Sequence, residues 1–260
     1  GGGQYWTSVK VNTGKSEFSY SGWFAPRWNL EMGRSNTERY ELADGSRYVR
    51  TEQSQKGSGF EAWHNGHTLN YNFLDPQKQM FNASLNLNNN NYKNNYKGIL
   101  TDERLGGIEN NMYDRTEYIS LHPSLNLYYQ NNLKKDQLIM ANLVTSYETS
   151  HSHRLYNEND LATDAPMVNI DNLIKGKTFS VLGEVDYEKT WKNSRFTAGI
   201  RHTQSWIQNK YVEQNTIDRM NQGNSYIFGE YWLRLGNHFD GSVGLGYSLY
   251  HYAPQNRQSH

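Results

Sequence analysis

The chain has 260 residues, and its 26 Lys and Arg balance 26 Asp and Glu, so no bulk field draws it to nucleic acid. It has no cysteine, which excludes disulfides, thiolate metal sites and thiol nucleophiles. A mean hydropathy of −0.92 is polar enough for disorder, but 20 Tyr, 9 Phe and 7 Trp with only 5 Pro make a folding composition. No run of about 18 apolar residues exists for a transmembrane helix. A transmembrane β-barrel stays polar on average, because lipid-facing apolar residues alternate with lumen-facing polar ones. The opening Gly1-Gly2-Gly3-Gln4 has neither an initiator Met nor the apolar core of a signal peptide, so a mature product, a domain or part of a longer protein is expected.

Period-two alternation recurs along the chain in segments of about 10 residues. First, Tyr5, Thr7, Val9 and Val11 alternate with Trp6, Ser8, Lys10 and Asn12. Then Trp28, Leu30 and Met32 alternate with Arg27, Asn29 and Glu31. Leu69, Tyr71 and Phe73 follow, against Thr68, Asn70 and Asn72. Phe81, Ala83, Leu85 and Leu87 oppose Met80, Asn82, Ser84, Asn86 and Asn88. The cleanest case sets Ile119, Leu121, Leu125, Leu127 and Tyr129 against Tyr118, Ser120, His122, Ser124, Asn126, Tyr128 and Gln130. Residues 137–147 are apolar on both faces. Phe179, Val181, Val185 and Tyr187 oppose Glu184, Asp186 and Glu188. Phe196, Ala198 and Ile200 oppose Thr197, Gly199 and Arg201. Ile227, Tyr231, Leu233 and Leu235 oppose Tyr226, Glu230 and Arg234. Last, Val243, Leu245, Tyr247 and Leu249 oppose Ser242, Gly244, Gly246, Ser248 and Tyr250. The pattern predicts an all-β, antiparallel up-and-down meander of about 11 strands. Ten residues at about 3.3 Å each, tilted about 45°, rise roughly 23 Å, close to the apolar band of an outer-membrane barrel.

The predicted connections alternate short and long. Short ones fall at Ala25-Pro26, residues 74–77, 131–135, 191–194 and 236–239, and long ones at 35–58, 89–117, 150–175 and 209–224. Short periplasmic turns and long extracellular loops are what barrels show. Aromatics sit near the predicted strand ends, at Trp23, Phe24 and Trp28, Tyr71 and Phe73, Tyr128 and Tyr129, Tyr187 and Trp191, and Tyr247, Tyr250 and Tyr252, as interface girdles do. An odd strand count, and a last strand with no closing partner, predict an incomplete barrel.

Three parts of the chain are similar to the barrel of TonB-dependent outer-membrane receptors of the Asn- and Tyr-rich Bacteroidetes type. The opening through Lys10 resembles the exit from a plug domain into the first barrel strand. Tyr71-Asn72-Phe73-Leu74-Asp75-Pro76 resembles a strand with its periplasmic turn. Residues 221–231 through 244–248 resemble a mid-barrel hairpin. The resemblance implies that residues 1–260 form one half of a 22-stranded barrel in the Gram-negative outer membrane, lacking the plug and the C-terminal strands. It also implies a transport or receptor role rather than an enzyme. The implied partners are outer-membrane lipid, the TonB energy-coupling complex acting through a plug, a surface lipoprotein, and a small or oligomeric nutrient such as an iron chelate, haem, cobalamin, peptide or glycan. No cofactor and no nucleic acid are implied. The alternatives are a plug-free channel or adhesin barrel, or a soluble all-β carbohydrate-binding domain.

In a barrel, Glu184, Asp186 and Glu188, with Arg201, Glu230 and Arg234 on the following strands, form a lumen-facing polar wall that could dock a plug or line a substrate path. His151 and His153, two apart at the start of a predicted loop, could contact a ligand, metal or haem. His64 and His67 have the wrong spacing for a shared strand face. Glu158, Asp160, Asp164 and Asp171 make an acidic loop without the regular ligand spacing of a calcium site. No phosphate loop, serine elbow or metal-binding helix motif is present.

Overall fold

A computed structural model describes residues 1–236 and 239–258 of the chain. It contains twelve strands: β1 (Tyr5–Thr13), β2 (Ser16–Glu31), β3 (Ser35–Glu41), β4 (Arg47–Ser54), β5 (Gly59–Asp75), β6 (Gln79–Asp102), β7 (Ile108–Leu133), β8 (Gln137–Asp160), β9 (Pro166–Trp191), β10 (Ser194–Tyr211), β11 (Thr216–Leu235) and β12 (Phe239–Gln258). The one helical turn among the described residues is a 3-10 turn at Glu103–Leu105, and no helix is long and apolar enough to cross a membrane. All strand pairs are antiparallel, in one sheet ordered β1-β2-β5-β6-β7-β8-β9-β10-β11-β12. Among the described residues β1 and β12 are not paired with each other.

The hairpin β3–β4 lies off that path and explains itself through its neighbours. The ladder of β5 on β6 stops at Gly59, opposite Asn95. From Gly98 onward the same edge of β6 is taken by β4, from Ser54 to Arg50. So β4 and β5 are one long strand with a break at residues 55–58, and β3 prolongs β2 in the same way. Ser58 fills the break. It is buried, its single hydroxyl proton lies within reach of the carbonyls of Gln55 and Lys97 at 3.0 and 2.9 Å, and its oxygen accepts from Lys97 N at 2.9 Å. Gly57, at φ 90°, supplies the left-handed residue the kink requires. Counted this way the sheet is a simple meander of ten columns, an even number, so the anticipated odd count does not arise.

Two sequence expectations fail here. Ala25-Pro26 is no turn: both residues lie in β2, opposite His64 and Trp63. Proline is tolerated because β1 begins only at Tyr5, opposite Phe24, so β2 lacks a full neighbour there. The turn is at Gly14 (φ 60°), between Thr13 and Ser16. The four long loops also dissolve. Residues 35–54 form a hairpin, and the other three shrink to tight connections at 103–107, 161–165 and 212–215. The strands simply continue: β7 and β9 run 26 residues each. Alternation vanishes there because both faces turn polar, while the ladder persists through cross-strand pairs such as the Tyr92–Tyr118 stack at 5.4 Å and the doubly bonded Arg154–Asp114 pair. The middle of the last short turn, Asn237-His238, lies outside the described residues.

The two faces differ as the alternation predicts. Register places Leu85 beside Leu69 and Leu125, Leu127 beside Ala83 and Leu143, and Ile227 beside Ile200 and Tyr247. No second layer covers them: Leu85, Leu143, Val185, Ile200, Ile227 and Leu245 are 39–83% exposed. A soluble sandwich would bury this face. The buried apolar side chains include Tyr96, Leu100 and Met112, which register places on the polar face. That face is concave at its far end. Arg50 on β4 reaches Glu158 on β8 at 2.6 Å, although β6 and β7 lie between them. Three strand spacings of about 4.8 Å on a flat sheet, roughly 14 Å, exceed that reach unless the sheet curves.

Aromatics border the apolar face at two levels. Phe81, Tyr129, Tyr187, Phe196 and Tyr231 lie near the short turns, and Tyr147, Phe179 and Trp206 share one row further up. Phe196 and Trp206 are separated by roughly 23 Å along the normal at a 45° tilt. Not every predicted girdle residue belongs: Trp23, Tyr128, Tyr250 and Tyr252 fall on the polar face, where the Trp23 indole covers the bare backbone of Gly66.

The extended ladder has a direct readout. Amide exchange at Asn89–Asn95 and His151–Tyr156 is expected to be as slow as that of neighbouring strand residues, with fast exchange confined to 161–165 and the other connections. Loop-like exchange across 89–95 would contradict the strand assignment.

Candidate functional site

The predicted polar wall lies on one face, but its members do not converge. Arg201 donates through Nη2 and Nε to Glu184 Oε1 at 2.6 and 3.1 Å, straight across the β9–β10 ladder. Asp186 sits one rung closer to the turn. Its Oδ1 is buried without a hydrogen bond and lies over Gly199 with the Phe228 ring, in space that any Cβ at 199 would occupy. Glu188 is 4.0 Å from Arg195. Glu230 stands opposite Thr197 and Gly244. Arg234 stands opposite Asp240, with its guanidinium 5.6 Å from the Trp232 ring. The wall is thus a set of local pairs, of which only Glu184 and Arg201 touch each other.

His151 and His153 are strand residues of β8, not loop residues as anticipated, because the ladder to β7 and β9 continues past them. Register places them on the same face as Ile119 and Leu121. His153 Nε2 lies 2.8 Å from Asp171 Oδ1, and His151 stands between Ile119 and Lys175. His64 and His67 occupy opposite faces of β5, with His67 Nδ1 2.9 Å from the Tyr20 hydroxyl. The acidic segment is spent on structure: Asp160 accepts from Ala162 N, Thr163 N and the Thr163 hydroxyl to hold the turn, and Glu158 pairs with Arg50. Among the described residues no group of three or more His, Asp or Glu is placed to hold a metal ion.

The densest polar site is one the sequence does not announce. The β3–β4 hairpin and the far ends of β6, β7 and β8 enclose a cavity of about 180 Å³, lined by Arg34, Asn36, Glu38, Arg50, Glu52, Leu100, Met112, Asp114, Arg154 and Tyr156. Three guanidiniums organise it. Arg34 pairs with Glu52 at 2.5 Å and lies over the Tyr96 ring at 4.2 Å. Arg50 donates to Glu158 at 2.6 Å and to the Tyr156 hydroxyl at 3.3 Å. Arg154 forks onto both oxygens of Asp114 at 3.0 and 2.9 Å. Tyr156 also donates to Glu158 and lies 3.2 Å from Met112 Sδ. The carboxylates are well shielded, with Glu158, Glu52 and Asp114 side chains 9%, 13% and 14% exposed. Burial, and then the Glu52 carboxylate, push the Tyr96 hydroxyl up to about 12. Burial, and then Glu158, push Tyr156 upward too. Chemically the cluster offers charge-assisted donors and acceptors in a partly dry recess, the means to grip an oxygen-rich or charged ligand. It also ties the hairpin to β8. Arg50 and Glu158 are 108 residues apart in sequence, so no local pattern marks them.

Arg50→Ala leaves Glu158 shielded, with the neutral Tyr156 hydroxyl in place of a cation. The expected cost is about 2 kcal/mol, below the range for fully buried pairs because the Arg50 side chain is about a third exposed. Faster proteolysis at Arg47 and a lower denaturant midpoint would report it. Tyr96 adds a pH effect. Its folded pKa is raised, so its contribution is complete below pH 10 and is lost as pH rises toward 12. Against Tyr96→Phe, the native protein is expected to lose stability across that alkaline window, and equal pH profiles would remove the assignment.

No protein-family model and no curated protein matches the chain. Among solved structures it is similar to the β-domain of the Bordetella autotransporter BrkA, with 12% identity over 94% of this chain and 97% of that chain, at a TM-score of 0.25.

Proposed function

We propose that this sheet is wall of an outer-membrane β-barrel that takes up a scarce nutrient, in the manner of TonB-dependent receptors. One observation carries the membrane part: an exposed apolar face about one bilayer tall, bordered by aromatic rows and backed by a polar, internally bonded face. In lipid the two free edges, β1 and β12, have to be paired, since unbonded backbone groups there cost several kcal/mol each. The Arg34–Arg50–Arg154 recess supports ligand capture at the mouth, and the Glu184–Arg201 wall lies further along the same face. The TonB complex, a plug and a surface lipoprotein come from the sequence resemblance. The protein acts as a carrier, with no catalytic step at either site. A plug-free channel or adhesin is the second reading. It is favoured by the Glu184–Arg201 and Glu188–Arg195 pairs, which answer two of the wall carboxylates without a plug.

Adjacent residues on opposite faces test the membrane reading. Leu125→Arg puts a cation into the apolar belt and is expected to cost about 2–4 kcal/mol in vesicle-refolded protein, while Asn126→Arg on the polar face costs little. Urea titration with gel-mobility readout measures both, and equal tolerance would end the membrane reading. Uptake is tested separately: ligand capture lost in Arg154→Ala supports a receptor, whereas discrete conductance without any ligand favours the channel.

A further inference from the structure

Above the upper aromatic row, the outward face carries cations that no carboxylate answers. Register sets Lys175 directly opposite both His151 and Lys210. Lys177, two residues nearer the belt, stands opposite Thr149 and Gln208, and Gln208 in turn faces Arg219. Next toward the turns comes the row Tyr147–Phe179–Trp206, in which Phe179 and Trp206 stack at 5.5 Å. All four cationic side chains are exposed, and among the described residues none forms an ion pair. Among the described residues Arg219 donates to Gln208, at 3.1 Å.

The carboxylates nearby are occupied or turned away. Asp171, on the same face of β9, is taken by His153, and Glu117 by Arg115 and Lys93. Glu148 and Asp218 fall on the opposite face, and Glu213 is in the turn beyond Lys210. Like charges directly opposite each other on a ladder destabilise it unless something neutralises them. Among the described residues no carboxylate supplies that negative charge, and the cations stand immediately above an apolar belt.

We infer that Lys175, Lys177, Lys210 and Arg219 form a binding site on the outer wall for the anionic phosphate groups of a membrane lipid, whose acyl chains lie against Phe179 and Trp206. The inference rests on the membrane reading above. Two features favour lipid over a soluble anion. Lys177 and Arg219 share a hollow of about 300 Å³ with the apolar Phe179 and Trp206 rings, and the apolar and cationic rows are continuous on the same two strands, β9 and β10. Cations at such a rim are each worth roughly a five-fold preference for anionic lipid.

The test uses the protein reconstituted in vesicles, with Trp206 as reporter and Trp206→Phe as the blank. Chain-brominated phosphatidylglycerol should quench Trp206 more than chain-brominated phosphatidylcholine does. The triple variant Lys175→Gln, Lys177→Gln, Lys210→Gln should lose that preference by on the order of 100-fold. The matching Lys→Arg triple should retain it, and excess inorganic phosphate at constant ionic strength should not compete. Equal quenching by both lipids would overturn the phosphate site while leaving the membrane reading intact. Displacement by inorganic phosphate would also overturn it, in favour of a soluble anion. No quenching by either lipid would defeat the membrane reading and this site with it.

Discussion

The structure depends on the antiparallel backbone ladder, because almost nothing else holds the sheet. Among the described residues there is no second layer, and the apolar face stays uncovered. In a water-soluble domain, burial of apolar area offsets the entropy of ordering the chain. In the proposed membrane setting that offset comes from lipid, a medium which itself accepts apolar surface. The same medium raises the value of every ladder bond, since a backbone group without a partner finds no water there. Uniform strand pairing, an uncovered apolar face and a short list of buried side chains therefore have one cause.

Where the wall leaves the apolar band, the source of order changes. From about Asn89, His151 and Lys177 outward, neither face is apolar, and side-chain pairs across the strands take over. Tyrosine stacks, arginine forks and the Ser58 repair of the β4–β5 break all belong to this upper part. The Arg50–Glu158 contact works at longer range, binding the hairpin to a strand three columns away and turning a flat ladder into the rim of a hollow.

This division also explains what could be read from the sequence. Strands such as Phe81–Leu87 and Ile119–Tyr129 alternate because one side of each belongs to the uncovered apolar face and the other to the polar face, and the facing of Leu85, Leu125 and Leu127 follows. The charges Glu184, Asp186 and Arg201 were legible as a wall for the same reason, by parity within a strand. Residues 89–117 and 150–175 resemble loops in sequence because a strand polar on both faces has no periodic signature. The Arg34, Arg50 and Arg154 recess was invisible because its partners meet only through register summed over several strands. Ala25-Pro26 misled for a local reason, a proline tolerated beside an incomplete neighbour.

The height of the wall has one further consequence. On β8, Tyr147 marks the upper aromatic row and Glu158 the recess, so the two lie roughly 25 Å apart along the normal at a 45° tilt. The screening length in physiological salt is about 8 Å. In the proposed membrane setting the recess therefore stands about two screening lengths above headgroups at the level of Lys175 and His151, where the membrane's surface potential is largely screened. A charged molecule approaching such a wall from the medium would meet mainly the field of Arg34, Arg50, Arg154 and their carboxylates, and its attraction to the recess would depend only weakly on the lipid composition around the base.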